Sequence, residues 1–507
     1  MWRLSFRQQE MIDTFCMGKP HLYCRNVRLF TLTALLMLRY IHCAAQAEDQ
    51  SPPQPQAAPQ NPPPVGGEIP RQQENRLPDP TVENERWNLF WQATSVGQYH
   101  GTFRSPYEDA YSLQNYVEHD VSLTTTLFFG LRLDQNSYLY FNPEVAGGRG
   151  FSGVNGLANS ANGELPRVSS ATPTPYLARL YLAHDIGFGS AKESFESEEN
   201  QLAGERPMVR YTIIGGRFTL TDFFDNNRYS HDPRTQFLGW AVMYNGAWDY
   251  SADVRGYTWG LVQELHTRNW SFRYGVGLMP TVANGPRLDH RIQADRGQVF
   301  ESEYRYLVRK HPGAFRVMPY LNYGDAGTYR ESIQLAKQNG GVPDITATRK
   351  PGTPKYGIGM NAEQELTRDI GVFTRLGWND GKTESFAFTA IDRLAQGGVS
   401  VTGGSWKRPF DTAASEFTAA GLSAVHAQYL ALGGHDFLIG DGRLQYGAEC
   451  IWESYYSARV VPGFFTTLDF QHVSNPAFNQ ARGPLWIYSL RLHIELGKEN
   501  FAHHGQK

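Results

Sequence analysis

The sequence predicts an all-β fold, a transmembrane antiparallel β-barrel of about sixteen strands with a short helix or loop folded into or over its lumen. Three observations support this prediction. Segments of about ten residues with alternating apolar and polar side chains recur from residue 87 to residue 496. The polar face of many of these segments carries charged residues. No apolar run approaches the roughly 20 residues that a membrane-spanning helix needs.

The last of these segments shows the pattern most clearly. In "LWIYSLRLHIEL" (485–496) every second residue from Trp486 onward is apolar, and the opposite face ends in Arg491, His493 and Glu495. Alternate side chains of a strand point to opposite faces, and charges are stable only where they meet water or one another. Charged faces on many strands therefore favour lipid outside and water inside. A barrel of roughly sixteen strands is wide enough for an aqueous channel.

The N-terminal residues indicate export. Arg25 and Arg28 precede an apolar segment and "AQA" (45–47) offers a small-residue cleavage site, so residues 1–47 are predicted to be a signal peptide. Lipidation at Cys43 is disfavoured by the bulky His42 before it. Of the four cysteines only Cys450 lies outside this segment, which leaves no disulfide framework in the mature chain.

The remaining chain divides by composition. Residues 48–86 form a Pro/Gln-rich stretch, which predicts a periplasmic tail or linker. Residues 87–496 contain the alternating segments and are predicted to form the barrel, and residues 497–507 form a C-terminal tail.

The candidate strands follow one another through the barrel region. They lie at 87–99, 120–133, 138–146, 176–186, 208–218, 256–266, 269–279, 299–307, 314–323, 355–366, 369–378, 383–392, 397–406, 421–431, 443–456, 463–472 and 485–496. Single-chain bacterial barrels have even strand numbers, so we expect sixteen. Between them, "PRTQFLGWAVMYNGAW" (233–248) spaces its apolar residues at three and four, which predicts a short helix. Alternation places Cys450 on the lipid-facing side, between Ala448 and Trp452.

No catalytic or metal-binding spacing is present. The sequence lacks G-x-S-x-G, H-E-x-x-H and C-x-x-C, and "SHD" (230–232) is a turn sequence before Pro233, since neighbouring residues cannot converge as a catalytic relay does. "DFFDNN" (222–227) lacks the ligand spacing of a dedicated calcium loop. We therefore predict no enzyme activity, cofactor or metal. The formal net charge of −3 provides no basic surface for nucleic acid.

Four segments carry a family resemblance. They are "GGRFTLTDFFDNNRYSHDPRTQFLGWAVMYNGAWDYSADVRGYTWG" (215–260), "LRLDQNSYLYFNPEVAGGRGFS" (131–152), "SWKRPFD" (405–411) and "QHVSNPAFNQARGPLWIYSLRLHIEL" (471–496). Together they resemble the carbohydrate-selective porin family of bacterial outer membranes. The resemblance implies a sixteen-stranded porin, embedded in outer-membrane lipid, that admits small sugars and other small polar solutes by diffusion. An outer-membrane polysaccharide export barrel is the main alternative; an outer-membrane lipase or deacylase and a soluble secreted β-protein are others.

Glu144 is the first candidate for contact with a sugar. It shares a strand face with Tyr138, Tyr140 and Asn142, and this combination can form hydrogen bonds with a sugar and stack against it. The alternative is a strand surface with aromatic girdle residues.

Several arginines and one loop complete the candidate set. Alternation places Arg132 and Arg179 in the lumen, and Arg217 enters the segment that resembles the porin signature. Each arginine could contact solute or pair with a carboxylate in the wall. Two roles, constriction of the pore and packing of the loop, remain open for three residues of that segment: Asp222, Asp225 and Arg234.

Overall fold

A computed structural model describes residues 84–165, 172–386 and 389–497. Sixteen antiparallel strands form one closed barrel in which β1 pairs with both β2 and β16. The strands are β1 Trp87–His100, β2 Glu118–Arg132, β3 Ser137–Gly148, β4 Thr174–Phe195, β5 Gly204–Phe218, β6 Thr258–His266, β7 Trp270–Leu278, β8 Arg296–Val308, β9 His311–Ala326, β10 Lys350–Glu365, β11 Ile370–Asn379, β12 Arg393–Gly403, β13 Arg408–Gly421, β14 Glu449–Val461, β15 Phe464–Ser474 and β16 Leu485–Leu496. The predicted signal peptide, most of the predicted linker and nearly all of the C-terminal tail lie outside the described residues.

Helices are few and short. They are α1 Trp240–Met243, α2 Tyr329–Asn339 and α3 Ala424–Ala431, with single 3-10 turns at Phe151–Gly153, Leu220–Asp222, Ile345–Thr348, Gly404–Trp406 and Pro476–Phe478. Within the described residues, no helix combines the length and the apolar character that crossing a membrane requires.

The connections differ between the two ends of the barrel. Seven turns of two to eight residues join strands at one end, which we call the turn end. Eight longer loops lie at the other end, the loop end: L1 (101–117), L2 (149–173), L3 (219–257), L4 (279–295), L5 (327–349), L6 (380–392), L7 (422–448) and L8 (475–484). In outer-membrane barrels the longer loops are extracellular and the short turns periplasmic.

Side chains alternate across the wall as predicted. In β16, Trp486, Tyr488 and Leu490 are exposed on the outside, whereas Arg491 and His493 are buried on the lumenal side. Closure of the barrel pairs each strand with two neighbours, so side chains rather than unpaired strand edges form the outer face.

The predicted total of sixteen strands is confirmed, but three assignments were wrong. Residues 383–392 lie in L6, residues 421–431 contain α3, and β13 was not predicted. Ser423 caps α3 by accepting a hydrogen bond from the His426 backbone N–H, a local signal that overrides the alternating pattern. β13 has Pro409 at its second position and continues in small residues such as Ala413 and Ala414, which give a weak period-two signal.

The predicted element folded into the lumen is L3, and it occupies much of the interior. Its α-helical part is one turn, α1, within the segment predicted to be helical, and the 3-10 turn Leu220–Asp222 precedes it. L3 is anchored to lumenal charges: Glu453 accepts hydrogen bonds from the backbone N–H groups of Leu238 and Gly239, and Arg375 forms a 2.9 Å ion pair with Asp225. Lumenal charges therefore meet one another and the L3 backbone as well as water.

Candidate functional site

A cavity of about 350 Å³ lies in the lumen between L3 and the wall formed by β2–β7. This volume falls within the range of small-molecule sites, about 300–1,000 Å³. The lining is polar and aromatic, and the residues that matter below are Tyr138, Tyr140, Glu144, Glu164, Tyr176, Arg179, Glu199, Arg206, Asp222, Arg234, Asp253, Arg255 and Tyr257.

Arg234 joins L3 to the opposite wall and to L2. Its Nη2 donates to Glu144 Oε2 at 2.9 Å, and its Nε lies 3.0 Å from Glu164 Oε1 in L2. Its Nη1 donates to Thr126 Oγ1 at 2.9 Å. The Arg234 side chain is only 13 % exposed, so these charge-assisted hydrogen bonds are largely shielded from water and fix L3 to the wall.

Glu144 is the acceptor at which this network converges. Besides Arg234, its carboxylate accepts hydrogen bonds from the hydroxyls of Thr126 and Tyr176, and from Tyr257 at 3.4 Å. The cross-strand partner of Glu144 on β2 is Thr126, which places its hydroxyl directly opposite. One carboxylate thus organises groups from two wall strands and from L3.

Two further ion pairs tie L3 to β4 and β5. Arg179 forms a bidentate pair with Asp222, with Nε–Oδ2 and Nη2–Oδ1 distances of 2.7 and 2.6 Å. Arg217 donates to Asp253 at 2.7 Å and to the Leu177 carbonyl at 2.8 Å. The cavity therefore combines both signs of charge at short range, with most charges neutralised locally.

Tyrosine rings in this region are covered by guanidinium groups. Arg255 lies 4.1 Å from the centroid of the Tyr176 ring, Arg179 lies 5.5 Å from that of Tyr257, and Arg206 lies 5.2 Å from that of Tyr138. These are cation–π distances. Because these three rings are engaged, hydroxyl, carboxylate and guanidinium groups are the polar features that the cavity offers to a solute.

The turn between β4 and β5 closes the cavity from the turn end. Asn88 Nδ2 donates to the carbonyls of Glu198 and Gln201, at 3.2 and 2.6 Å. Gln92 donates to Glu199 at 2.9 Å. The fit is close at Gly130, where a Cβ atom would lie 2.4 Å from Asn88 Oδ1. We call residues 196–203 the inner turn.

Burial changes the protonation of three groups outside the strands. Burial raises the pKa of Glu164, and the nearby Arg234 only partly offsets this effect. Burial also raises the pKa of Glu199 to about 7. His231 in L3 is buried near arginines such as Arg375, which lowers its pKa to about 3 and keeps the imidazole neutral. The pKa of Glu199 therefore lies close to neutral pH.

Six of the predicted site residues line the cavity: Tyr138, Tyr140, Glu144, Arg179, Asp222 and Arg234. The other four do not lie among its described lining residues. Arg132 donates to the carbonyls of Glu85 and Ala203 and holds the inner turn, and Asn142 donates to Asn200 of the same turn.

The structure places Arg217 and Asp225 outside the cavity lining. Arg217 is paired across the sheet with the outward-facing Trp259, and only its guanidinium bends over the rim to reach Asp253. Asp225 is buried between Arg375 and Asn361, so it serves loop packing. Along β5 the alternation is regular: Arg210, Thr212 and Ile214 line the cavity, so Arg217 lies on the opposite face of the strand.

Sequence reasoning missed several residues at this site. Tyr176 and Tyr257 stand at the loop ends of β4 and β6, where an aromatic residue before an alternating segment is a usable signal. Glu164 and Glu199 come from connections with no distinguishing pattern. Among the described residues no group of three or more His, Cys, Asp or Glu side chains could hold a metal ion.

Comparison with known proteins gives a family. The family model described as "Carbohydrate-selective porin, OprB family" matches residues 120–496. No curated protein matches the sequence significantly. The high-pH structure of Pseudomonas putida OprB is 15 % identical, with a TM-score of 0.62, and the match covers 82 % of this chain and 94 % of that one.

Other outer-membrane channels are more distant. Salmonella typhi OmpF in complex with daunomycin is 7 % identical, with a TM-score of 0.45, covering 82 % of this chain and 98 % of that one. The Acinetobacter baumannii channel DcaP is 8 % identical, with a TM-score of 0.44, covering 81 % and 97 %.

The family match spans most of the barrel and favours a porin over a polysaccharide export barrel. The sixteen-stranded closed sheet agrees with it, and fold and family are those of a channel. The chain belongs to the carbohydrate-selective porin family OprB and is a porin of the bacterial outer membrane.

Proposed function

We propose that small neutral sugars cross the barrel through the cavity between L3 and the β2–β7 wall, in contact with Glu144, Arg179, Asp222 and Arg234. The observation that carries this proposal is the bridge from Arg234 to Glu144, which brings a cation and an anion together across the lumen at 2.9 Å. Sugar hydroxyls both donate and accept hydrogen bonds, so paired charges provide complementary partners for them.

Local neutralisation suits uncharged solutes. Arg179 is paired with Asp222, and Arg234 with Glu144 and Glu164, so neither sign dominates the narrow region. A single-signed ring would favour ions of the opposite charge. Weak hydrogen bonds exchanged between the solute and this set would allow entry without trapping the sugar, because conduction requires binding that is easily reversed.

The cavity also limits solute size. It is bounded by L3 on one side, by Glu164 of L2 above Arg234, and by the inner turn below. We propose that a solute the size of one sugar ring passes more readily than a longer saccharide.

A liposome-swelling series tests the proposal. Purified protein in liposomes is compared with Glu144→Gln, Arg179→Gln and, as a control, Arg228→Gln, which removes a more exposed cation of L3 that pairs with Glu365. We expect the first two variants to change the ratio of hexose flux to that of a linear polyol of similar mass, and the control to leave it unchanged. Equal flux ratios in all four proteins would show that these groups do not contact the solute.

A further inference from the structure

The outer face of the barrel carries three cations that each lie over an aromatic ring. Arg296 lies 4.8 Å from the centroid of the Tyr323 ring, Lys382 lies 5.6 Å from that of Tyr356, and Arg393 lies 5.2 Å from that of Trp378. We call these six residues the β8–β12 rim. None of them lines the lumenal cavity.

The rim forms one continuous surface at the loop end. Arg296 begins β8 and is the cross-strand partner of Tyr323, and Arg393 begins β12 and is the partner of Trp378. Tyr356 lies between them on β10, 43 % exposed. Adjacent strands are about 4.8 Å apart, so the surface from β8 to β12 is roughly 20 Å wide.

These cations have little internal compensation. Among the described residues, no carboxylate lies within 4 Å of the side-chain nitrogens of Arg296 or Arg393, and Lys382 is 3.9 Å from Asp380 with 64 % of its side chain exposed. Arg296 donates to the Gln293 carbonyl at 2.7 Å, and Arg393 to the Asp392 carbonyl at 2.7 Å. Arg393 also donates to the Asn379 carbonyl, but a guanidinium has five N–H donors, so each arginine retains donors for a further acceptor.

A further acidic residue near the rim, Asp325, is engaged by other cations. Asp325 follows Tyr323 on β9 and interacts electrostatically with Arg291 of L4 and Arg349 of L5. The rim therefore keeps positive charge at the height of the aromatic residues.

The position of these cations at the level of the aromatic residues indicates which kind of partner they bind. Aromatic residues form girdles where the membrane meets water, and cations at the same level attract anionic lipid headgroups. Arginine recognises phosphate oxygens through paired N–H donors. We propose that the β8–β12 rim binds the phosphate groups of anionic lipid in the outer leaflet, independently of solute passage through the lumen.

The test compares Arg296→Gln/Arg393→Gln with the parent protein in detergent. A matched control, Arg368→Gln/Arg459→Gln, removes the same charge at the turn end, where Arg459 lies 3.9 Å from the Phe410 ring centroid. Binding of bisphosphorylated lipid A and of its dephosphorylated form is measured by native mass spectrometry. We expect the rim variant to bind bisphosphorylated lipid roughly 10- to 30-fold more weakly than the parent and the control.

Several outcomes would overturn the proposal. These are equal binding by parent and rim variant, equal loss in the control, or equal affinity for dephosphorylated lipid. The dephosphorylated lipid lacks the phosphate charge, so comparing the two lipids on the parent protein tests phosphate recognition even if a variant fails to fold. A parallel titration with inorganic phosphate separates the sources: binding of free phosphate as tight as that of the lipid would identify a phosphate site rather than a lipid surface.

Discussion

Replacing Arg234 with methionine should destabilise the barrel while preserving its fold. The substitution keeps an apolar side chain of similar length but removes the cation that lies 2.9 Å from Glu144 and 3.0 Å from Glu164. Both carboxylates are less than 10 % exposed and would face each other without compensation. Breaking a buried ion pair by removing one partner costs about 3–5 kcal/mol.

The expected shift in melting temperature follows from barrel size. With about 2.1 cal/mol/K of unfolding entropy per residue, a barrel of about 410 residues loses roughly 1 °C per kcal/mol. We therefore expect the temperature at which the folded band converts to the unfolded band on gels to fall by about 3–6 °C. L3 should remain in the lumen because Glu453 and Arg375 hold it at other points.

Two companion variants make the test specific. In Arg234→Met/Glu144→Gln the Glu144 carboxylate, left uncompensated by the first substitution, is also removed. This double variant should therefore be more stable than Arg234→Met alone. Arg228→Gln, in the same loop but 26 % exposed, should cost at most about 1 kcal/mol. The reasoning is refuted if Arg234→Met converts at the parental temperature, or if Arg228→Gln is equally destabilising.

Three further predictions concern other parts of the molecule. Burial raises the pKa of Glu199 to about 7, so the neutral carboxyl favours docking of the inner turn at low pH, and this stabilisation is lost as pH rises through 7. Single-channel conductance should therefore increase over that range in the parent and stay flat in Glu199→Gln. Burial opposes the charged form of His426, but Asp392 and Asp436 outweigh it and raise the pKa of His426 to about 9. The ion pairs of His426 therefore stabilise the fold fully below about pH 6.5, and this stability is lost as pH rises through 9. Conversion temperatures measured against pH should show this decline, and His426→Gln should lack it. Cys450 alternates onto the outer face of β14, so a membrane-impermeant thiol reagent should not label it in folded protein in liposomes; fast labelling would show that the strand register is wrong.

Repeated local patterns determined the fold class from the sequence alone. A period of two is a property of one strand, so segments such as 485–496 reveal their two faces without knowledge of their neighbours. The same logic placed Glu144, Tyr138 and Tyr140 on one lumenal face, and the structure has them there. It failed for β13, where small side chains weaken the contrast between faces, and for α3, where a helix cap competes with alternation.

Only the tertiary structure decided which charges meet. Arg234 and Glu144 are 90 residues apart, and their contact depends on L3 turning back into the lumen. Glu199 enters the cavity because Asn88 and Arg132 hold the inner turn, and neither end of that interaction carries a sequence signal. Arg217 lies on the outward face of β5, yet its guanidinium reaches Asp253 of L3, a contact that depends on the path of the loop. Ion pairing in a lumen depends on loop paths and barrel closure, which are long-range properties, whereas alternation is local. The sequence therefore determined the wall, and the tertiary structure determined which ion pairs form inside it.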